Sequence, residues 1–340
     1  MIKLWLERGA WASARARRYF SGISAEEIRR VGVIRHAALG DMVLVRPFLA
    51  EAKRYFPNAQ IVLSVVSNYT EGIPYDLVDS VHVTPGNHVK GVSLLSRIKA
   101  AREIGEVDIL FDLADTTRSR YICFFAPAKV RIGMSYSPYL SRLLHDAAVW
   151  RSDYVFEAEN MLHTLMLLGA DLIQPMPFCW GGSKERRISQ EKRILYFPFA
   201  STPAKMWPKH DWVSLVRRAC DLWPNCKHIV LSGSGATEKA AAHFGPEFEQ
   251  YPSNLDFAEP LELSSFSDFV RDATLIISND TGVRNLAISL GVPTIGIFFS
   301  TVPYRYWPRA NTHLAAFEPD GSLPSLASVL GLMGKQLTYA

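Results

Sequence analysis

Ile276-Ile277-Ser278-Asn279-Asp280-Thr281-Gly282 reads as a buried strand, a turn of small residues and the start of a helix. This strand–turn–helix unit is the repeating piece of a doubly wound α/β sheet. A helix start leaves backbone N–H groups without intrahelical partners, at the positive end of the helix dipole. It is therefore an anion site, and Gly282 lets a phosphate approach the backbone closely. The alternative is that Asp280 or Thr281 only caps the helix.

The same alternation continues on both sides. Downstream, 281–290 reads as a helix and 293–298 as a strand. Upstream, 193–198, 228–232 and 274–278 read as strands, and 211–223, 235–244 and 263–270 as helices. The N-terminal half repeats the theme. Strands are expected at 30–35, 61–66, 107–113 and 130–132, with a helix from Asp41 to the break at Pro57-Asn58. Strands alternating with helices predict parallel sheets covered on both faces. At 340 residues, and with roughly 150 per domain, two domains follow.

The expected division is a basic amphipathic extension (1–30), a Rossmann-like domain (31–175), a linker rich in Pro, Gly and charge (176–190) and a second Rossmann-like domain (191–340). The last helix is an element able to pack back on the first domain. Two such domains are expected to face a central cleft at the carboxyl ends of their strands, where open α/β sheets place ligands.

In the extension, Trp5, Leu6, Trp11, Tyr19 and Phe20 interleave with Arg8, Arg15, Arg17 and Arg18. A short helix of this kind either touches an anionic membrane surface or packs on its own domain or a neighbouring subunit. With 48% apolar and 21% charged residues, the composition is that of a soluble globular protein. No apolar run approaches the ~18 residues of a membrane span, and the N-terminus lacks a signal peptide's continuous apolar core. A net charge of +4 is too small to argue for nucleic acid, but suits anionic substrates or an anionic membrane face. Cys123, Cys179, Cys220 and Cys226 form no Cys-x-x-Cys pair, so no disulfide framework or zinc site is expected and a reducing cytoplasm fits.

Three further segments sit at strand-to-helix turns. In 199–208, Lys205 can meet a diphosphate as a point charge, or be a solvated loop lysine. In Ser232-Gly233-Ser234-Gly235-Ala236-Thr237-Glu238 the glycine spacing is not the dinucleotide fingerprint. Glu238 there is either a ribose hydrogen-bond partner or a glutamate favoured by a helix dipole. In Arg35-His36-Ala37-Ala38-Leu39-Gly40-Asp41, Asp41 is either a general base or a helix cap, and the absence of P-loop spacing argues against an ATPase. Arg118, Arg120 and Arg131 suit carboxylate or phosphate groups of an acceptor, or are ion-paired surface residues.

Taken in order, from about Val31 to Pro308, these segments resemble glycosyltransferase family 9, the bacterial ADP-heptose:lipopolysaccharide heptosyltransferases. The matching motifs are Arg35 through Gly40-Asp41 to Pro47, Asp112-Leu113 through Arg118-Ser119, Arg131-Ile132-Gly133, Lys205-Met206-Trp207-Pro208, and Asp280-Thr281-Gly282 trailed by Gly291-Val292-Pro293-Thr294. The resemblance implies a GT-B fold and an inverting transfer of heptose that uses no metal and no cofactor beyond its nucleotide-sugar substrate, an ADP-linked one. It implies Asp41 as the base. Lys205, Asp280, Thr281 and Gly282 would hold the donor diphosphate, Glu238 the donor ribose. Arg35, His36, Arg118, Arg120 and Arg131 fall on the acceptor side, toward an anionic or lipid-linked saccharide such as lipopolysaccharide inner core. It also implies a cytoplasmic enzyme, peripheral at the inner membrane, with no nucleic-acid partner.

The chain departs from the family in two places. After Asp-Thr-Gly the family continues Pro-x-His, whereas this chain has Val283-Arg284-Asn285. Asn285 can donate a hydrogen bond but carries no imidazolium charge, and Arg284 either supplies a cation to the donor or is exposed on its helix. The second departure is the 1–30 extension. Two rival readings follow: the same fold with another nucleotide sugar or acceptor, and a non-catalytic nucleotide- or saccharide-binding protein.

Overall fold

The computed structural model describes residues 1–340 except 87–88, 179, 181–190, 236, 249–251 and 339–340. The chain divides into two compact units, 1–179 and 180–340. Ten residues of the expected linker, 181–190, and Cys179 lie outside the described residues.

The first unit is built on a seven-stranded sheet. Its strands are β1 (Ala10–Ala12), β2 (Arg30–Ile34), β3 (Gln60–Val66), β4 (Ser80–Thr84), β5 (Val107–Asp112), β6 (Ala128–Ser135) and β7 (Ala147–Trp150). They run β1-β7-β6-β5-β2-β3-β4, parallel except for β1 on β7. The second unit holds β8 (Arg193–Phe197), β9 (Lys227–Leu231), β10 (Leu255–Ala258), β11 (Leu275–Asn279), β12 (Thr294–Ile297) and β13 (His313–Ala316). They run β10-β9-β8-β11-β12-β13, all parallel.

With β1 set aside, both sheets have the same winding: third, second, first, fourth, fifth, sixth. This is the doubly wound Rossmann order, and ligands bind where the order reverses. That point falls between β2 and β5 in the first unit and between β8 and β11 in the second. The flanking strands are central for a physical reason. Every residue of β5 and of β11 is buried, as parallel strands covered on both faces require. The second unit's core gathers Tyr196, Trp207, Trp212, Ile276, Leu286 and Ile295 around these strands.

Several expectations need correction. Residues 1–30 are not an extension standing apart. Ala10–Ala12 pairs antiparallel with β7 at the sheet edge, and Gly9, with φ of 96°, makes the turn into it. The helix that follows, Ala14–Ser21, is capped by Ser13 and buries Ala16 and Phe20. Packing on its own domain is the arrangement found. Helix 235–244 is shortened to Ala240–Phe244, because the Gly235 N–H donates to the Glu238 carboxylate and the segment turns instead. The last helix, Leu326–Thr338, buries Val329 and Met333 in the core of the second unit. Strands β4, β10 and β13 lie at or next to solvent on the sheet edges, where half-exposed positions break the apolar run that marks the central strands.

Candidate active site

The reversal point of the second unit brings Lys205 and Asp280 together. β8 runs into the loop holding Lys205, and β11 ends one residue before Asp280. The two loops are tied by Asn279, which is fully buried. Its Oδ1 accepts from the Trp207 backbone N–H at 3.0 Å, and its Nδ2 donates to the Pro198 carbonyl at 2.7 Å. Trp207, anchored on Pro324 and edge-on to Trp212, holds the far end of the loop. Lys205 Nζ then donates to Asp280 Oδ2 at 3.2 Å, and Thr301 Oγ1 donates to the same oxygen at 2.9 Å. Lys205 is partly exposed, whereas Asp280 is buried. The result is a fixed ammonium beside a helix start.

Helix Gly282–Ser289 begins there, with Thr281 in the capping position. Thr281 makes no side-chain cap hydrogen bond, and its buried Oγ1 has no hydrogen-bond partner among the described residues. Neither Thr281 nor Asp280 acts as a simple cap. The N–H groups of the first turn therefore keep their capacity for an outside acceptor.

Arg284 is not exposed on this helix. It is completely buried, its guanidinium lies over the Phe298 ring at 5.0 Å, and Nη1 donates to the Tyr306 carbonyl. Gly296 makes the space, since a Cβ there would sit 2.4 Å from Arg284 Nε. Burial lowers the Arg284 pKa to about 10, with Asp280 acting the other way. It stays a cation at neutral pH. Asn285 is buried as well. Glu238 is taken up by its own turn: its Oε2 accepts from Gly235 N–H, and any side chain at Gly233 would collide with it.

The first unit has a parallel construction at its own reversal point. Arg35 follows β2 and is nearly fully buried. Its Nη1 donates to Glu157 Oε1 at 3.1 Å and to the Leu113 carbonyl at 2.6 Å, while Nη2 lies 3.5 Å from Asp41 Oδ1. Asp41 stands in the first turn of helix Leu39–Leu44, behind Ala38 as the capping residue, and its side chain is about one-third exposed. It is not a cap. It is a carboxylate held from behind by a guanidinium, with one face open. The Arg35 guanidinium is thus spent on positioning.

Burial pushes the His36 imidazole down to about 4, with Asp112 opposing and Arg118 and His82 adding to the shift. It is neutral at pH 7 and cannot meet an anion as a cation. Arg120 pairs with Asp115 at 3.1 Å. Arg131 donates to the carbonyls of Cys123 and Ala126, where it closes helix Thr117–Phe125. Arg118 lines a small cavity of about 120 Å³ with Arg97 and Tyr121. Of the arginines expected on the acceptor side, Arg118 lines this cavity, and Arg131 borders a separate groove with Arg15 and Arg142.

Sequence reading missed Asn279, Thr301, Glu157 and Arg151 as parts of the site. Glu157 is fully buried and receives both Arg35 and Arg151. A lone glutamate at a helix start carries no sequence signal for that. Glu157→Ala is expected to cost about 3–5 kcal/mol in urea unfolding, because it strands two buried guanidinium groups. A loss below about 1 kcal/mol would mean the ions relax to other partners.

Asp112, Cys123 and His145 place ligand-type atoms within 4.8 Å of one another in the core. Asp112 accepts from Ser119 Oγ and from the Ala114 and Asp115 N–H groups. Burial and the Asp112 charge push the Cys123 thiol well up, so it stays protonated. The cluster braces the loop after β5.

The profile of glycosyltransferase family 9 (heptosyltransferase) matches residues 97–324, about two-thirds of the chain. The chain belongs to glycosyltransferase family 9. Lipopolysaccharide heptosyltransferase 1 of Pseudomonas aeruginosa is 23% identical over 313 residues, covering 85% of this chain and 84% of that protein. Among solved structures, E. coli heptosyltransferase WaaC with ADP-2-deoxy-2-fluoro heptose matches with a TM-score of 0.69 at 15% identity, covering 90% of this chain and 99% of that one. E. coli ADP-heptose lps heptosyltransferase II matches with a TM-score of 0.65 at 17% identity, over 91% and 99%. These likenesses give the fold, GT-B, and the family 9 membership gives the class of chemistry, glycosyl transfer.

Proposed function

We propose that this family 9 enzyme moves heptose from ADP-heptose to an anionic saccharide, lipopolysaccharide inner core being the acceptor, with inversion and without a divalent metal. The observation that carries the reading is the Lys205–Asp280 pair beside the uncapped start of helix Gly282–Ser289. An ammonium and free N–H groups on one sheet edge suit a diphosphate leaving group. The names of the relatives support the donor: one solved relative was captured with an ADP-heptose analogue, and the curated one is a lipopolysaccharide heptosyltransferase.

In this reading the Asp41 carboxylate takes the proton of the acceptor hydroxyl. The acceptor oxygen bonds to the anomeric carbon from the face opposite the diphosphate. The bond from that carbon to the diphosphate oxygen breaks, and its electrons leave with ADP. Lys205 and the Thr281–Gly282 turn meet the charge that develops there. Asp280, the carboxylate at this turn, is already held by Lys205 and Thr301, which favours protein cations and dipoles over a metal in this role. Arg118 is kept as the acceptor-side cation, and Glu238 as the donor-ribose partner once it leaves its own turn. Work on such an acceptor places the enzyme at the cytoplasmic face of the inner membrane.

A second reading, another nucleotide sugar on the same fold, is favoured by one feature. Val283 and Asn285 stand where the family's pattern has Pro and His, with the buried Arg284 cation between them. A thermal-shift series of ADP, UDP, GDP and their sugars separates the two. A shift specific to ADP and ADP-heptose is expected. A preference for UDP or GDP would replace the donor, and no shift with any nucleotide would sink the catalytic reading.

A further inference from the structure

Helices Leu94–Arg102, Thr117–Phe125 and Pro138–Leu144 connect β4 to β5, β5 to β6 and β6 to β7. All three steps cross the sheet in the same direction, so right-handed crossovers put these helices on one face. Successive helices touch. None of the three contains an aspartate or glutamate, and together they carry Arg97, Lys99, Arg102, Arg118, Arg120 and Arg142.

The apolar residues on this face are turned outward. Tyr139 is 87% exposed, Leu95 79% and Leu143 72%, with Leu94 and Phe124 more than half exposed. Single exposed leucines are ordinary, but a cluster across adjacent helices marks a binding surface. The apolar and basic groups adjoin one another. A groove of about 320 Å³ runs past Trp11, Arg15, Phe124, Arg142 and Leu143. The one carboxylate lining it, Asp146, is occupied by Arg15 and the Arg131 N–H. On the other side of helix Thr117–Phe125, Val89, Arg97, Arg118 and Tyr121 line the smaller cavity.

We propose that this face docks on an anionic phospholipid bilayer, with Leu94, Leu95, Tyr139 and Leu143 entering below the headgroups. Arg120 is paired with Asp115, but Arg97, Lys99, Arg102 and Arg142 are exposed beside the outward apolar side chains, and exposed cations next to apolar groups are what an anionic interface takes up. The surface gives a position to the membrane placement inferred above, yet it rests on the exposed face and not on the sugar chemistry.

The test is co-sedimentation of the full chain with phosphatidylcholine vesicles, with and without phosphatidylglycerol. Binding is expected only with phosphatidylglycerol and should weaken as salt rises. Arg142→Gln should weaken it about fivefold. Leu95→Glu with Leu143→Glu should weaken it by more than about tenfold, since two buried apolar anchors become charges in the interface. Leu222→Glu, at a position 59% exposed in the second unit, should bind as the wild type does. Equal binding to uncharged vesicles, or an unchanged double variant, overturns the proposal. So does a wild-type dimer in sedimentation velocity that the double substitution dissolves while vesicle binding stays absent, since the face would then belong to a second copy. An ADP thermal shift in each variant checks folding. Vesicle binding without sugar transfer would count against the proposed reaction and leave this surface standing.

Discussion

Asp41→Asn is expected to lower turnover by about 10²–10⁴-fold, the usual contribution of a positioned general base. The substitution keeps the size and shape of the side chain and removes only its ability to take a proton. Donor affinity should change by less than about twofold, because the diphosphate contacts are assigned to the second unit. The fold should also survive, since Asp41 is one-third exposed and the buried anchor of Arg35 is Glu157. Single-turnover kinetics at saturating donor, with calorimetry of donor binding, read the two quantities separately. Normal turnover would remove Asp41 from the mechanism. A loss of donor affinity equal to the loss of rate would move its role from proton transfer to binding. Arg35→Met provides the contrast. It should lower the rate by letting the carboxylate wander, and it should destabilise the protein by leaving Glu157 short of a cation. A rate defect without a stability defect in that variant would contradict the positioning role of Arg35.

The sheets were legible in the sequence because their central strands are unusually clear. Runs such as 61–66 and 275–278 are apolar or small at every position, and each leads into a polar turn. The ligand-facing loops follow from the topology, since the reversal point selects which strand ends matter. The nearness of Lys205 and Asp280 was legible for the same reason: they follow the two strands that flank that point. What was hidden depends on three-dimensional neighbours. Glu157 lies more than a hundred residues from Arg35, and no local pattern announces their pairing. Arg284 was open to two readings because helical spacing does not say which face meets a cavity. The deciding residue is Gly296 on β12, whose missing side chain leaves room for the guanidinium. The 1–30 segment was open to two readings for a related reason. Its basic and aromatic composition suits a membrane helix, but Gly9 and Ser13 set a strand and a capped turn that put it on the sheet edge. Exposed basic and apolar side chains lie together instead on helices Leu94–Arg102, Thr117–Phe125 and Pro138–Leu144.

Lys205→Ala is expected to weaken binding of ADP and ADP-heptose by roughly 10–150-fold, the range for a hydrogen bond to a charged group. The difficulty is that Lys205 touches Asp280, so its loss has two consequences at once. It removes a cation from the diphosphate and it strands a buried carboxylate beside the same anion site, with only Thr301 still bonded to it in the described site. Either effect alone would weaken binding. Asp280→Asn separates them, because the amide is isosteric and uncharged. If Lys205 serves only to neutralise Asp280, then Lys205→Ala with Asp280→Asn should bind nucleotide almost as the wild type does. If the ammonium meets the diphosphate itself, the double variant should stay at least about tenfold weak, and the cycle should give only partial coupling. Calorimetry against ADP, AMP and adenosine sharpens the choice. A direct contact predicts that the Lys205→Ala penalty shrinks from ADP to adenosine, where there is no diphosphate to hold. A penalty of the same size for all three would place Lys205 in the architecture of the turn, and the diphosphate would then rest on the backbone N–H groups of Gly282 and its neighbours alone.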